Sequence, residues 1–214
     1  MSVRKNQIAI WGIVLLSFLL SIYFYPQMPA KMASHWNAKG QVDGYMSKFW
    51  GAFLMPFVLV GIALLFLAIP KIDPLKANIK KFRKYYDGFI IIFLIFMFSV
   101  HTQVILWNLG TKISFNLILP IGIGILFYYV GILCENAKRN WFIGIRTPWT
   151  LSNEKVWDKT HKIGGKLFKI AGLIALVGIF FKTLAVFFIV VPVLLVGIFT
   201  VVYSYVEYQK ERID

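Results

Sequence analysis

Three histidines and a few carboxylates are the side chains of this sequence with obvious chemistry to offer. His35, His101 and His161, with Asp43 and Glu135, carry the imidazole nitrogens and carboxylate oxygens that zinc sites use. None of them stands at the His-Glu-x-x-His spacing that places two imidazoles on one helical turn. The sequence also lacks a nucleophile–base pair, a phosphate-cradling glycine loop and paired intramembrane aspartates, which points away from an enzyme and toward binding. A denser polar group, Ser99, His101, Thr102, Gln103 and Asn108, interrupts an apolar stretch. On a helix Ser99 and Gln103 share one side while His101 and Asn108 lie nearly opposite, so no face there is wholly apolar. Such a segment either hydrogen-bonds to neighbouring helices or lines a wet cavity.

Which of these groups can meet depends on the elements that carry them. The chain has 214 residues, 59% hydrophobic and only 15% charged, too apolar for a soluble domain and too apolar for disorder. Cys134 stands alone, so no disulfide framework exists. Against the roughly 20 apolar residues that cross a bilayer, six stretches read as spans, the fifth of them short: 8–25, 49–69, 88–107, 113–134, 167–181 and 184–206. The fold class is therefore all-α, a polytopic membrane protein with six transmembrane helices. The first stretch is too long for a signal-peptide core and is read as a retained anchor. The chain divides into residues 1–69, two spans with their connecting loop, 70–134, a basic loop and two spans, and 135–214, a long loop and a helical hairpin.

The net charge of +14 would suggest nucleic acid in a soluble chain; in a bilayer it reports orientation first. With the N-terminus inside, only Lys31, Lys39, Lys48, Lys112 and Lys182 fall outside, leaving 18 of the 23 cations in the cytoplasm. Both termini are accordingly expected inside. This arrangement separates His35 and Asp43 from His161 by roughly 30 Å of hydrocarbon, so they cannot share one ion. An outer trio of His35, Asp43 and His101 stays geometrically open, yet without a ligand spacing no metal and no cofactor is assigned.

Three polar loops are long enough for recognition. The outer loop, 26–48, has Pro26 and Pro29 to stop the first helix, and Gly40 and Asp43-Gly44 supply turn chemistry suited to a small hairpin. The first inner loop, 70–87, sets Ile79, Phe82 and Tyr86 on one helical face among Lys80, Lys81, Arg83 and Lys84, a basic amphipathic turn expected to lie on anionic lipid. The second inner loop, 135–166, holds Trp141, Trp149 and Trp157 and is expected to fold back into the interface. There Ser152 reads as a helix N-cap, Trp157 and His161 share a face, and Gly164-Gly165 offers a bend before the fifth span. Ala171, Ala175 and Gly178, with Gly124 and Gly131, read as close-packing positions, and Pro192 as a bend in the sixth span.

Two of these loops together resemble the SdpI family of bacterial six-span membrane proteins. His35-Trp36-Asn37, Gly40, Asp43-Gly44-Tyr45 and Ser47-Lys48, followed by Pro56, resemble the N-terminal domain that accompanies the family. Asn140-Trp141-Phe142-Ile143-Gly144-Ile145-Arg146-Thr147-Pro148-Trp149-Thr150-Leu151, with Trp157 and His161, resemble its C-terminal signature. The resemblance implies immunity to a secreted peptide toxin of the SdpC type, met at the outer face. It also implies a signalling role in which a small winged-helix autorepressor is held at the inner face, without direct contact between this chain and nucleic acid. On this reading the toxin-facing candidates are His35, Trp36, Asn37, Asp43, Tyr45, Lys48, His101 and Gln103. The partner-facing candidates are Asn140, Trp141, Arg146, Thr147, Pro148, Trp149, Trp157 and His161. A transporter or binder of a lipid or small amphipathic molecule is the alternative.

Overall fold

The computed structural model describes residues 3–213. In chain order its helices are α1 (Val3–Phe24), α2 (Lys48–Ile72), α3 (Lys76–Lys81), α4 (Arg83–Asn108), α5 (Phe115–Asn136), α6 (Pro148–Ser152), α7 (Glu154–Val177) and α8 (Ala185–Ile213). The six long ones, α1, α2, α4, α5, α7 and α8, each have the length and apolarity to cross a bilayer. Strands β1 (Lys31–Trp36) and β2 (Val42–Ser47) pair antiparallel between α1 and α2, the hairpin that Gly40 foretells; Asp43-Gly44 is not its turn but lies within β2, Gly44 opposite His35. Gly40 supplies the positive φ of its turn, +76°.

The long helices form two three-helix halves. In the first, α1, α2 and α4 pack on one another around Ile10, Val14, Leu59, Ala63, Ile90 and Leu94, all buried. In the second, α5 lies against α7 along most of its length and α8 closes the triangle. The halves meet chiefly along α4 and α5. The close approach of α5 and α7 comes from facing glycines, Gly124 and Gly131 against Gly172 and Gly165. A Cβ on Gly172 would lie 2.6 Å from both the Gly124 carbonyl oxygen and the Tyr128 nitrogen, so the backbones touch with nothing between them. Ala171 and Ala175 are buried beside this seam.

Three local expectations are corrected. Gly164-Gly165 does not bend the chain: α7 runs unbroken from Glu154 to Val177, and the pair serves packing, with Gly165 on Gly131 and Gly164 against Ile145 and Thr200. The N-cap of α7 is Asn153, whose side-chain oxygen accepts from the Lys155 and Val156 N–H groups; Ser152 ends α6 instead. The stripe Ile79, Phe82 and Tyr86 does not face lipid. All three are buried in the core of the first half, because α3 tucks beneath α2 and leaves its lysines outward.

Candidate functional site

At one end of the bundle the β-hairpin is hydrogen-bonded to α4 through Asn108. Asn108 accepts from the Ala33 N–H (2.8 Å) and donates to the Ala33 carbonyl (3.0 Å), imitating a strand partner, and it also donates to Val104 of its own helix. Met32 is wholly buried against Gly51, where any side chain would collide with it. Trp36 packs on Phe115 with ring centroids 4.1 Å apart and planes tilted by 36°, and meets Trp107 edge-on. Its indole N–H is buried and has no hydrogen-bond partner among the described residues.

The polar groups of the hairpin mostly face out. His35 Nδ1 lies 2.5 Å from the Asp43 carboxylate across the two strands, with 72% of the His35 side chain exposed. Asn37 accepts from the Lys39 and Gln41 N–H groups and so shapes the turn. Tyr45 is exposed, and the Lys48 ammonium sits over the Tyr25 ring, 4.8 Å from its centroid. Beneath the hairpin a cleft of about 470 Å³ opens between the two halves. Its rim is Ser34, His35, Asn37 and Asn116, and its floor is Met55, Val104, Leu119 and Val186, drawn from α2, α4, α5 and α8.

His101 and Gln103 do not join that rim. His101 is buried and lies 2.9 Å from the Ser21 hydroxyl, which in turn lies 2.7 Å from the Ala52 carbonyl, so the group knots α1, α2 and α4 together. Gln103 donates to the Ile113 carbonyl, and Ser99 and Thr102 bond back to their own helix. The polar half-turns of α4 are thus interhelical and local hydrogen bonding, and the three-residue metal trio does not assemble. Among the described residues no cluster of three metal-ligating side chains forms.

At the opposite end the long loop between α5 and α7 is organised from within. Asn140 is fully buried and uses both ends of its amide: the NH₂ donates to the Lys138 and Ile143 carbonyls, and the oxygen accepts from the Phe142 and Ile143 N–H groups. Gly144 takes φ +111° over the His161 ring, a place closed to any side chain. The next residue, Ile145, donates its N–H to His161 Nε2 (2.9 Å), so the neutral ring carries its proton on Nδ1, facing the Trp157 carbonyl. Trp157 stacks on that ring at 3.9 Å and donates its indole N–H to the Ala137 carbonyl. Thr147 caps α6 in a reciprocal box with Thr150, Pro148 occupies the first turn, and the Thr147 hydroxyl lies 3.0 Å from Ser204 on α8.

Of the residues singled out in this loop, Asn140, Thr147, Trp157 and His161 are therefore interior, whereas Trp141, Arg146 and Pro148 are exposed and Trp149 is half-buried on Tyr205. Arg146 donates to the Trp141 carbonyl (2.7 Å) and otherwise projects outward. Two residues that sequence reasoning passed over hold this loop to the first half. Buried Asp73 accepts from the Trp141 N–H (2.9 Å) and the Leu75 N–H, and Asn78 donates to the Arg139 carbonyl (2.8 Å). The sequence signal at Asp73 is slight: an acid before Pro74 in a loop that is mostly basic.

Comparison with known proteins agrees with this layout. Residues 136–204 match the SdpI/YfhL protein family, and residues 12–60 match a domain of unknown function (DUF1648). Over 208 residues the chain is 29% identical to the immunity protein SdpI of Bacillus subtilis (strain 168), covering 97% of each chain. It is also 34% identical over 55 residues to the uncharacterized membrane protein YbgB of the same bacterium, 26% of this chain and 60% of that one. No solved structure matches it. One matched segment carries the hairpin and the other the Asn140–His161 loop, each in its own half of the bundle, and the full-length alignment joins them: the chain is a multi-pass bacterial cytoplasmic-membrane protein similar along its whole length to the immunity protein SdpI.

Proposed function

We propose that this chain is a membrane immunity protein that protects its cell from a secreted peptide toxin of the SdpC type, with the hairpin outside and both termini in the cytosol. The 18-to-5 division of its cations supports that orientation. The observation that carries the reading is the cleft of about 470 Å³ under the hairpin, apolar in its floor and polar along its rim. A membrane-active peptide presents both characters. Its apolar side chains enter between the halves while His35, Asn37, Asp43, Tyr45 and Lys48 meet its polar flank at headgroup level, beside the ring of Trp36. His101 and Gln103 act behind this surface, His101 holding α1, α2 and α4 together and Gln103 holding the α4–α5 connection to α4.

On the cytosolic side the exposed Trp141, Arg146, Pro148 and half-buried Trp149 form the face on which a small winged-helix repressor is held. Toxin binding favours one arrangement of the two halves and so biases this face, as linkage between sites requires.

Cells producing the chain, challenged with an SdpC-type toxin, test the outer site. Val186→Trp, which fills the cleft, and Asp43→Ala should each lose protection at unchanged membrane abundance; full protection by both would overturn the assignment. Membrane co-sedimentation tests the inner site: repressor recruitment should depend on toxin and fail in Arg146→Ala, and recruitment indifferent to both would refute the relay.

A further inference from the structure

A second cleft, of about 260 Å³, lies between the halves at the loop end. Phe66 of α2, Tyr86 and Phe89 of α4, Leu133 of α5 and Phe168 of α7 form its walls, and Phe142 closes one side. The Tyr86 hydroxyl is engaged by the Phe66 carbonyl, 2.9 Å away, so the slot presents an apolar surface. Its depth follows from the chain. Ile69 and Cys134, also in the walls, end the apolar runs of α2 and α5, and charge follows within two residues at Lys71 and Glu135. The cleft therefore sits in hydrocarbon, just below the headgroups.

The charge around it is one-sided. The acids of this end are largely engaged: Asp87 by Arg83 and Asn6, Glu135 by Lys169, Asp158 by Lys138, and Glu207 and Glu211 by Lys155, Lys159 and Lys210. Asp73 accepts from two backbone N–H groups, which fix its carboxylate without cancelling its charge. Arg146 donates to the Trp141 carbonyl, and exposed Lys71, with no carboxylate partner among the described residues, lies in the last turn of α2 two residues before Asp73, which accepts from the Trp141 N–H; the two cations thus flank Trp141, whose neighbour Phe142 closes the cleft. An apolar slot just below headgroup depth thus has at its mouth two cations, Arg146 and Lys71, against one carboxylate, Asp73, beside the half-exposed indole of Trp141.

We propose that this cleft is a binding site for one anionic phospholipid. One acyl chain fills the slot between Phe66, Leu133 and Phe168, and the phosphate lies at Arg146 and Lys71, with Trp141 at the level of the glycerol. A zwitterionic lipid with the same chains fits the slot equally but offers the surplus cations no net charge. The inference concerns the opposite end of the molecule from the toxin cleft and stands independently of the immunity reading.

Native mass spectrometry of the detergent-purified full chain, with phosphatidylglycerol and phosphatidylcholine of identical acyl chains, tests it. The unmodified protein should retain one phosphatidylglycerol in preference. Lys71→Ala and Arg146→Ala should each reduce that preference about fivefold, the equivalent of about 1 kcal/mol for one cation near anionic lipid. Val130→Trp, which fills the slot, should abolish retention of both lipids, with helix content by circular dichroism as the check on folding. Equal retention of the two lipids by the unmodified chain would overturn the proposal. So would a preference unmoved by either cation variant, which needs no change inside the bundle.

Discussion

The two ends of this molecule carry polar, aromatic motifs of similar density and use them in opposite ways. At the loop end Asn140, Thr147, Thr150, Trp157 and His161 point inward and bind backbone, so the motif is the frame of a 17-residue connection, 137–153, that has one short helix of its own. At the hairpin end the two paired strands satisfy much of the backbone, with Asn108 completing Ala33 and Asn37 the turn, and His35, Asp43 and Tyr45 are left to solvent. An irregular loop near a membrane must find partners for its own N–H and C=O groups, and its polar side chains are consumed in doing so. A hairpin finds them in its ladder, and its side chains stay available for recognition. Conspicuous motif residues are thus architecture at one end and surface at the other.

Substitutions separate the two roles, beginning with the seam that both ends depend on. Gly172→Leu inserts a side chain where the Gly124 carbonyl and Tyr128 nitrogen already occupy the space. The helices have no slack there, so we expect a loss of 3 kcal/mol or more, roughly the upper range for overpacking, read as a lower thermal midpoint in detergent and reduced membrane abundance. Asn140→Ala comes next. It strands two N–H groups and two carbonyls of the loop, at about 2–3 kcal/mol once water reaches some of them, and limited proteolysis should cut between residues 138 and 147 in this variant alone. A loop whose protease resistance survived Asn140→Ala would mean that the motif is not its frame.

The spans were legible because apolar length is a direct signal: the six expected stretches lie within or nearly within the six helices. What lay next to each face was less so. Periodicity made Ile79, Phe82 and Tyr86 an apolar stripe but could not say whether lipid or protein covers it. Gly164-Gly165 fits a bend and a packing site alike. The deciding feature is that Gly165 and Gly172 repeat the seven-residue spacing of Gly124 and Gly131 on the facing helix, which matters only once the two helices are known to touch. The outer turn was legible from Gly40 because turn chemistry is local, whereas Asp43-Gly44, with the same turn signature, is drawn into β2 by pairing with β1. The clamp of Asp73 on Trp141 joins residues far apart in the chain, and nothing within either loop announces it.

The junction between architecture and surface is Asn108, which holds the hairpin to α4 through both backbone groups of Ala33. Asn108→Ala should cost about 1–2 kcal/mol and loosen the hairpin locally, so that hydrogen exchange at Ala33 accelerates while the loop end is unmoved. Asn108→Asp separates the two bonds: it keeps the acceptor for the Ala33 N–H and loses the donor to the Ala33 carbonyl, and should fall between alanine and the unmodified chain. Acceleration that spread to the Asn140 loop would mean that the two ends open as one unit.

The smallest structural effect belongs to the most conspicuous pair. The His35 side chain is mostly in solvent, so its contact with Asp43 is worth about 0–1 kcal/mol at most. His35→Ala should leave the thermal midpoint nearly unchanged. If it also leaves toxin protection unchanged, the exposed residues of the hairpin are no more than the outside of a fold, and the contrast between the two ends is one of packing alone. If protection falls while stability does not, the pair is held out for a ligand, because nothing inside the protein needs it. The informative quantity is therefore the ratio of the two effects: large for His35→Ala, near unity for Asn140→Ala, where loss of function follows from loss of the frame.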